Sequence, residues 1–454
     1  MNAPTSRGRI VVVGGGVGGL AAAYRSQQNG FDVTLLEASD RIGGKAKTFR
    51  RDGYYFERGA SIMPSAYQEM IAIIREIGMA DELVVGGSIV GFAKGDRVHY
   101  MDSAALYRDA ITTKLLSFGS KLSMIKMMID AARISKGISY ENLGLAADFD
   151  NETAADYCRR RLNDEIREYI VDGTLRGMLG TEAEYQSVVD FFFCFSRLLG
   201  TKLYSLKNGM ESYPARLSKH VRDIRLQATV TLVEELGSKV KVHWTDAGGA
   251  PHVEEADGCI LAVNARLQNG LFPQLDAENR EFLASMRYTD AITVNAALSK
   301  PPVGVPAFVI QVPNSVDRGL FAITFEHHKC PWTVPEGKGA IGYYLMSHWS
   351  GELMNETDET VVRLVTAAGD KVIPGVDKDI QFTEVNRWRE VVTYNPPGTY
   401  KRLAAFLQRI QKHPRVKLAG DYFSVSNLNT ATTAGVRAAR EMAASLSPAV
   451  GTVK

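Results

Sequence analysis

The chain has 454 residues, enough for two ordinary domains and a large buried core. With 45% hydrophobic and 23% charged residues it has the composition of a folded globular protein, which excludes a disordered one. A formal charge of +2, with no basic stripe interleaved with aromatics, gives nucleic acid no foothold. Residues 1–8 read as a frayed end. Residues 9–45, RIVVVGGGVGGLAAAYRSQQNGFDVTLLEASDRIGGK, then run strand, Gly-rich turn, helix and second strand. The strand over 10–13 is apolar and mostly β-branched, the helix spans 20–28, and the strand over 31–36 is closed by Glu37. Gly14, Gly16 and Gly19 fit G-x-G-x-x-G, with Gly18 inside it. Such glycines permit a tight turn, close approach of backbone to a pyrophosphate, and close packing of helix on strand. The phosphates would sit on free N–H groups at the helix N-terminus. Glu37 lies 23 residues after Gly14, where these folds place the acid that takes hydrogen bonds from a ribose. Gly-rich turns precede many helices, but here every part of the unit falls in register, and a dinucleotide site is expected.

The residues that follow Glu37, ASDRIGGK, resemble the segment E-A-x-x-R-x-G-G-R of the flavin amine oxidase, protoporphyrinogen oxidase and phytoene desaturase superfamily. Glu37, Ala38, Arg41 and Gly44 match it, and Lys45 stands where Arg is commoner, which keeps the charge and loses the bidentate fork. The resemblance implies FAD as the cofactor, and a nicotinamide dehydrogenase is not expected to carry this extension. Residues 48–60, TFRRDGYYFERGA, read as a hairpin around Asp52-Gly53. In the superfamily its F-E-x-G element returns to the cofactor, so Gly59 and Ala60 would bring backbone to the flavin and Glu57 would orient a basic neighbour. The plainer reading of Glu57 is a solvated strand residue. Residues 65–78 predict an amphipathic helix stopped by Gly78, and 83–101 predict short strands with a turn at Gly95-Asp96.

From 103 to 199 the pattern is helical, and such a block inside an α/β chain reads as an insertion forming a separate lobe. Within it, residues 114–136 place Leu115, Leu116, Leu122, Ile125, Met128 and Ile129 on an apolar face and carry five basic residues. One reading is a helix lying on an anionic membrane; the other, preferred, is a surface helix whose apolar side packs on its own lobe. FFFCF at 191–195 reads as core, with enough aromatic density to wall an apolar pocket. YSLKNGMESYPARLSK at 204–219 resembles the superfamily's Y-x-x-x-G-G-M-x-x-L-P-x-x-L element, with Asn208 for the first Gly and Tyr213 for an apolar residue. Three strand-like runs follow at 224–234, 240–244 and 253–263, and the resemblance gives Val230 a backbone contact to adenine. Strands are expected at 288–299, 308–312, 320–325, 340–346 and 380–388, and helices at 359–372 and 400–411. VKLAGDYFSVSNLNTATTAGVRAAREMAA at 416–444 resembles the terminal flavin motif of the superfamily. There Gly420 and Asp421 would meet the ribityl or pyrophosphate region, and N–H groups at Asn429, Thr430 and Ala431 would face the pyrimidine edge of the flavin.

The resemblance covers the full length. It implies an α/β fold with a discontinuous Rossmann-type FAD lobe (1–80, 204–287 and 385–454) and a discontinuous α+β substrate lobe (81–203 and 288–384), combining a mixed sheet with the helical insertion. The four cysteines, Cys158, Cys194, Cys259 and Cys330, lie far apart with no ligand-spaced His, so reduced thiols are expected and no metal site or disulfide framework. None is near the terminal motif, so FAD is expected to be non-covalent. The strand at 10 leaves no room for a signal peptide and no apolar run of roughly 18 residues follows, which points to the cytoplasm. Amine oxidases of the superfamily place a Lys near flavin N5, where Val294 aligns, and two rings before the flavin, of which Tyr394 matches one. Losing the Lys and the second ring shifts the expectation to CH–CH dehydrogenation of a small apolar, cyclic substrate, with oxygen or another electron acceptor. A monoamine oxidase and a non-catalytic flavin-binding or membrane-associated partner remain the alternatives. Tyr344, His348, Tyr394 and Asn427 are the polar pocket candidates; for each, the plainer reading is a buried polar group that finds a structural partner.

Overall fold

The computed structural model describes residues 6–447. Residues 1–5 of the expected frayed end lie outside the described residues, and 6–8 do not fray. Arg7 N–H donates to Gly30 O at 3.0 Å, and its guanidinium reaches Asn29 O and Ser447.

The architecture is the expected α/β one. Five parallel strands stand in the order Asp223–Arg225, Asp32–Leu36, Arg9–Val13, Gly258–Leu261 and Val416–Leu418, so one sheet gathers the start, middle and end of the chain. Ile10, Val11, Val12, Ile260 and Leu261 are fully buried, because a parallel sheet is covered on both faces. The helix Val17–Gln28 packs along the terminal helix Leu428–Ser445. Only missing side chains allow it: a Cβ on Gly435 would stand 2.0 Å from Gly18 O. The three apolar runs expected over 224–263 resolve into five strands. Gln227, at φ +53°, and Ala228 donate to Ser39 O and Glu37 O, turning the chain from Asp223–Arg225 into a separate antiparallel sheet of Thr229–Leu236, Lys239–Thr245 and Pro251–Ala256.

A seven-stranded sheet forms the other half, in the order Ile380–Trp388, Ala291–Leu298, Gly339–Leu345, Leu320–Phe325, Val309–Gln311, Ile89–Lys94 and Arg97–Asp102. It is mixed, since Val309–Gln311 runs parallel to Ile89–Lys94 while the other pairs are antiparallel. The strand Ile380–Trp388 crosses the expected boundary at 384/385 unbroken, because it pairs along its length with Ala291–Leu298.

The helical insertion includes Phe118–Ile134, Ala154–Arg161, Gly173–Leu179 and Val188–Leu198. It does not form a separate lobe. Leu143, Ala146, Val188 and Phe191 share one buried cluster with Ile10, Leu20 and Met442. Polar contacts fasten the block as well. Asp150 accepts from Tyr400 N–H at 2.7 Å, at the start of the helix Thr399–Arg409, and from Ser187 Oγ at 2.7 Å. The FFFCF segment is core only, and none of its rings reaches the cavity described next. In Phe118–Ile134 the expected apolar face divides: Leu115 and Leu116, just before it, are buried, whereas Leu122, Ile125, Met128 and Ile129 are exposed. Met127 and Ile134 pack inward instead.

Candidate active site

Strand ends place the site. Where the last three strands in the order of the parallel sheet stop, at Val13, Leu261 and Leu418, a cavity of about 720 Å³ opens toward the seven-stranded sheet. Gly14 turns at φ +104°, and its N–H donates to Leu36 O at 2.8 Å. Gly19 must be bare, since a Cβ there would lie 1.8 Å from Gly14 O. Gly16 lines the cavity and a Cβ on it would meet nothing within 4 Å, which leaves its backbone open to a ligand. The following loop is pinned to this turn: Gly43 N–H donates to Gly15 O at 2.8 Å, and Gly43 and Gly44 take φ +104° and +55°.

Several expected cofactor residues converge here from four stretches of chain. Gly16, Gly18, Arg41, Gly44, Lys45, Gly59, Ala60, Gly420, Asp421 and Ala431 all line the cavity. Lys45 ties the two ends together, donating to Val391 O at 2.5 Å and standing 3.7 Å from Asp421 Oδ2. A Cβ on Gly59 would lie 2.0 Å from Lys45 O, so the F-E-x-G return depends on that glycine.

Others sit one step back. Glu37 is behind Gly15, accepting its N–H at 2.5 Å and those of the Ser39 backbone and hydroxyl at 2.9 and 2.7 Å. Three of a carboxylate's roughly four acceptor positions are thus taken. Ala38 is exposed and Val230 lies in the Thr229–Leu236 strand; neither lines the cavity. Asn429 points away, its Oδ1 accepting Met70 N–H at 3.0 Å to hold the helix Gln68–Glu76. Thr430 N–H is taken by Asn427 Oδ1 at 2.8 Å, and Ala431 N–H by Asn427 O at 3.1 Å. The row of donors expected at 429–431 is therefore largely spent inside the helix N-terminus.

The four pocket candidates divide. Tyr344 and Asn427 line the cavity, and Asn427 is also the N-cap of the terminal helix. Tyr394 and His348 line a neighbouring cavity of about 750 Å³ instead, where Tyr394 meets Tyr185 edge-on with ring centroids 6.4 Å apart. Gly180 borders both. The strand Ala291–Leu298 presents Ala291 and Thr293 to the cavity, while Val294, one residue on, is buried in the core behind the sheet. Strand side chains alternate faces, so the wall position is Thr293. No lysine stands there either way.

Sequence reasoning missed a buried polar group beside the cavity. Tyr344 Oη donates to Ser61 Oγ at 3.1 Å. Behind it, Thr324 Oγ1 donates to Glu326 Oε1 at 2.8 Å, and Lys329 Nζ sits 2.7 Å from Glu326 Oε2, both charged residues 5% exposed. Desolvation pulls the Lys329 ammonium down, but Glu326, Tyr344 and Cys330 together hold the group above the ordinary range. Glu57 is no solvated strand residue: it accepts from Met210 N–H at 2.9 Å and Thr48 Oγ1 at 3.0 Å, and burial pushes its carboxyl up to about 7 despite Lys329 nearby. The i, i+3 spacing of Glu326 and Lys329 was the one available signal. Arg58, also unforeseen, lines the cavity and pairs with Glu384.

The residues fit a dinucleotide. An open glycine backbone at a helix N-terminus, with Arg41 and Lys45 beside it, suits a pyrophosphate. The far wall, with Ile62, Met178, Leu179 and Phe321, is apolar enough to exclude water from a flat ring system.

The family model described as flavin containing amine oxidoreductase matches residues 17–443. Coproporphyrinogen III oxidase of Bacillus subtilis (strain 168) is 25% identical over 91% of this chain and 93% of its own length. The protein of that name from Staphylococcus aureus (strain NCTC 8325 / PS 47) is 24% identical over 96% and 99%. Among solved structures, a putative protoporphyrinogen oxidase from Exiguobacterium sp. 255-15 superposes with a TM-score of 0.74 at 20% identity, covering 98% of this chain and 100% of that one. Putrescine oxidase reaches 0.78 at 18% identity over 97% and 100%, so both share the fold. The chain belongs to the flavin-containing amine oxidoreductase family and is an FAD-dependent oxidoreductase.

Proposed function

We propose that this oxidoreductase dehydrogenates a small apolar, cyclic substrate at a CH–CH bond, with FAD held non-covalently. Bound FAD supplies the hydride acceptor, N5 of its ring. The chain's own residues do the rest. Gly16, Gly18, Arg41 and Lys45 hold the pyrophosphate, and Glu37 offers its remaining acceptor position to the ribose. Asp421 and Gly420 position the ribityl chain, and Gly59 and Ala60 bring bare backbone to the ring. Ile62, Met178 and Phe321 seat the substrate and keep water out, while Tyr344, its Oη–H donated to Ser61, orients the substrate through the hydrogen bond its oxygen can still accept. Asn427 holds the start of the terminal helix in place, and its dipole favours negative charge on the ring. In this reading the FAD lobe contains the five-stranded sheet and the substrate lobe the seven-stranded one, with the last boundary moved past Trp388.

The observation that carries the CH–CH reading is the wall formed by Ala291 and Thr293, which offers no ammonium to the cavity. The full-length relatives named for porphyrinogen oxidation support it. None of the four cysteines lines the cavity, which supports a non-covalent flavin. Molecular oxygen or another acceptor reoxidises the flavin, in the cytoplasm or at a membrane surface facing it. Monoamine oxidation is the second reading, and Phe321 and Tyr344 favour it: both rings line the cavity, 6.0 Å apart and inclined at 49°. They project from paired strands of one sheet, so they form one wall and not two facing ones. Anaerobic bleaching of the flavin by a panel of saturated cyclic ketones, a porphyrinogen, polyenes and primary amines decides between the readings. Bleaching by a ring CH–CH donor and not by amines is expected; bleaching by amines alone overturns the first reading.

A further inference from the structure

We propose that the helix Phe118–Ile134 is a docking face for an anionic lipid surface. This extends the membrane-surface half of the reading above, and it does not depend on which bond is oxidised. Phe118, Leu122, Ile125 and Ile129 recur at intervals of four, three and four, which puts them in one line along a helix. All four face water, at 77%, 51%, 57% and 47% exposure. The opposite side is the buried one, with Ser120, Met127 and Ile134 packed inward. The protein thus spends one side of this helix on its core and leaves a second apolar stripe outside. Ile111, 75% exposed, continues the stripe toward the preceding helix.

Charge selects the occupant. By helical position Lys121 lies on one flank of the stripe and Lys126 and Arg133 on the other, with Lys114 exposed just before the helix. From 106 to 136 there are six basic residues and two acidic ones. Both carboxylates are already engaged. Asp130 accepts from Arg161 at 2.8 Å, Tyr157 at 3.0 Å and Arg133 at 3.2 Å, and Asp109 accepts from Asp102 N–H at 2.7 Å and Arg108 at 2.9 Å. Lys121 Nζ donates to Ile111 O and Thr113 O, which leaves Lys114 and Lys126 as the ammonium groups turned to solvent on this face. A second copy docking on a twofold axis would set this basic rim against its own image, and neither carboxylate of the segment is free to relieve it. An apolar stripe edged by basic residues matches an acyl layer under anionic headgroups, with the exposed Lys114 and Lys126 reaching up to the phosphates. The helix lies in the surface, since no helix among the described residues is long and apolar enough to cross a membrane.

Flotation of the purified holoprotein with vesicles tests this, using phosphatidylcholine alone and phosphatidylcholine mixed with phosphatidylglycerol. The protein is expected to float with the mixed vesicles and to be released by raised salt. The variant Leu122→Ser/Ile125→Ser/Ile129→Ser should lose the interaction. Lys114→Gln/Lys126→Gln should weaken it on the order of 10-fold or more. Bound flavin, read from the same samples, should be unchanged in both, which separates loss of docking from loss of fold. No flotation at low salt, flotation that the triple Ser variant retains, or a dimer in light scattering that the same variant abolishes would each overturn the proposal.

Discussion

Asp190 illustrates what burial does to a single side chain. It is fully buried; Oδ1 accepts from Asn395 at 3.2 Å and from Tyr400 Oη, while Oδ2 meets no polar partner among the described residues. Desolvation pushes its carboxyl from 3.8 up to about 8. The folded state then holds a proton that the unfolded state releases, so stability contributed below about pH 4 is lost as pH rises through about 8. The limiting slope is ~1.4 kcal/mol per pH unit. Urea titrations across this window should show a flatter pH dependence in Asp190→Asn than in the wild type; parallel profiles would contradict the assignment. Lys329→Met leaves Glu326 buried without its cation and should cost about 3–5 kcal/mol by the same measurement. A loss below about 1 kcal/mol would mean that the pair is not buried as described. Such groups were illegible in the sequence because their partners come from elsewhere in the chain. Glu57 looks like any hairpin acid until Met210 N–H, from far along the chain, donates to its carboxylate. Val294 shows the sharper failure: one residue of misregister exchanges the cavity wall for the core.

At the level of elements, what was legible was what the chain writes consecutively. The strand, Gly-rich turn, helix and terminal acid of 9–37 are local, as are the hairpin at Asp52-Gly53 and the stop at Gly78. The terminal helix was legible too, but its N–H groups were not, since Asn427 and Asn429 spend their side chains on Thr430 and Met70. Helical spacing in 114–136 announced an amphipathic helix without saying which of two apolar stripes would be buried. The contact between the first and last helices gives a prediction. Gly435→Val places atoms where Gly18 O stands, and should cost about 1–3 kcal/mol as the helices part. Bound flavin should fall with it, though residue 435 does not line the cavity. Unchanged flavin content and stability would show that the two helices are not held together as described.

Across the whole molecule, the cavity exists because the parallel sheet draws its strands from residues 9–36, 223–261 and 416–418, with Ala291–Leu298 facing them from the other sheet. Family resemblance made this discontinuity readable, since hydrophobic pattern alone assigns strands and not their neighbours. The same pattern suggested a separate helical lobe, whereas the block shares its core with the rest of the chain: the insertion was read by its composition, and its place is fixed by Asp150, Ser187 and Tyr400. Because the site is assembled from distant segments, FAD binds the folded chain alone and should stabilise it, by about 2.7 kcal/mol at a hundredfold excess over Kd. The most direct test of the account is titration of flavin-free protein with FAD, followed by fluorescence quenching, for the wild type, Glu37→Ala and Asp421→Ala. One FAD per chain in the wild type and clearly weaker binding in both variants are predicted. A wild-type chain that takes up no FAD, or variants that bind it as tightly, would contradict the claim that the two ends of the chain close on one flavin.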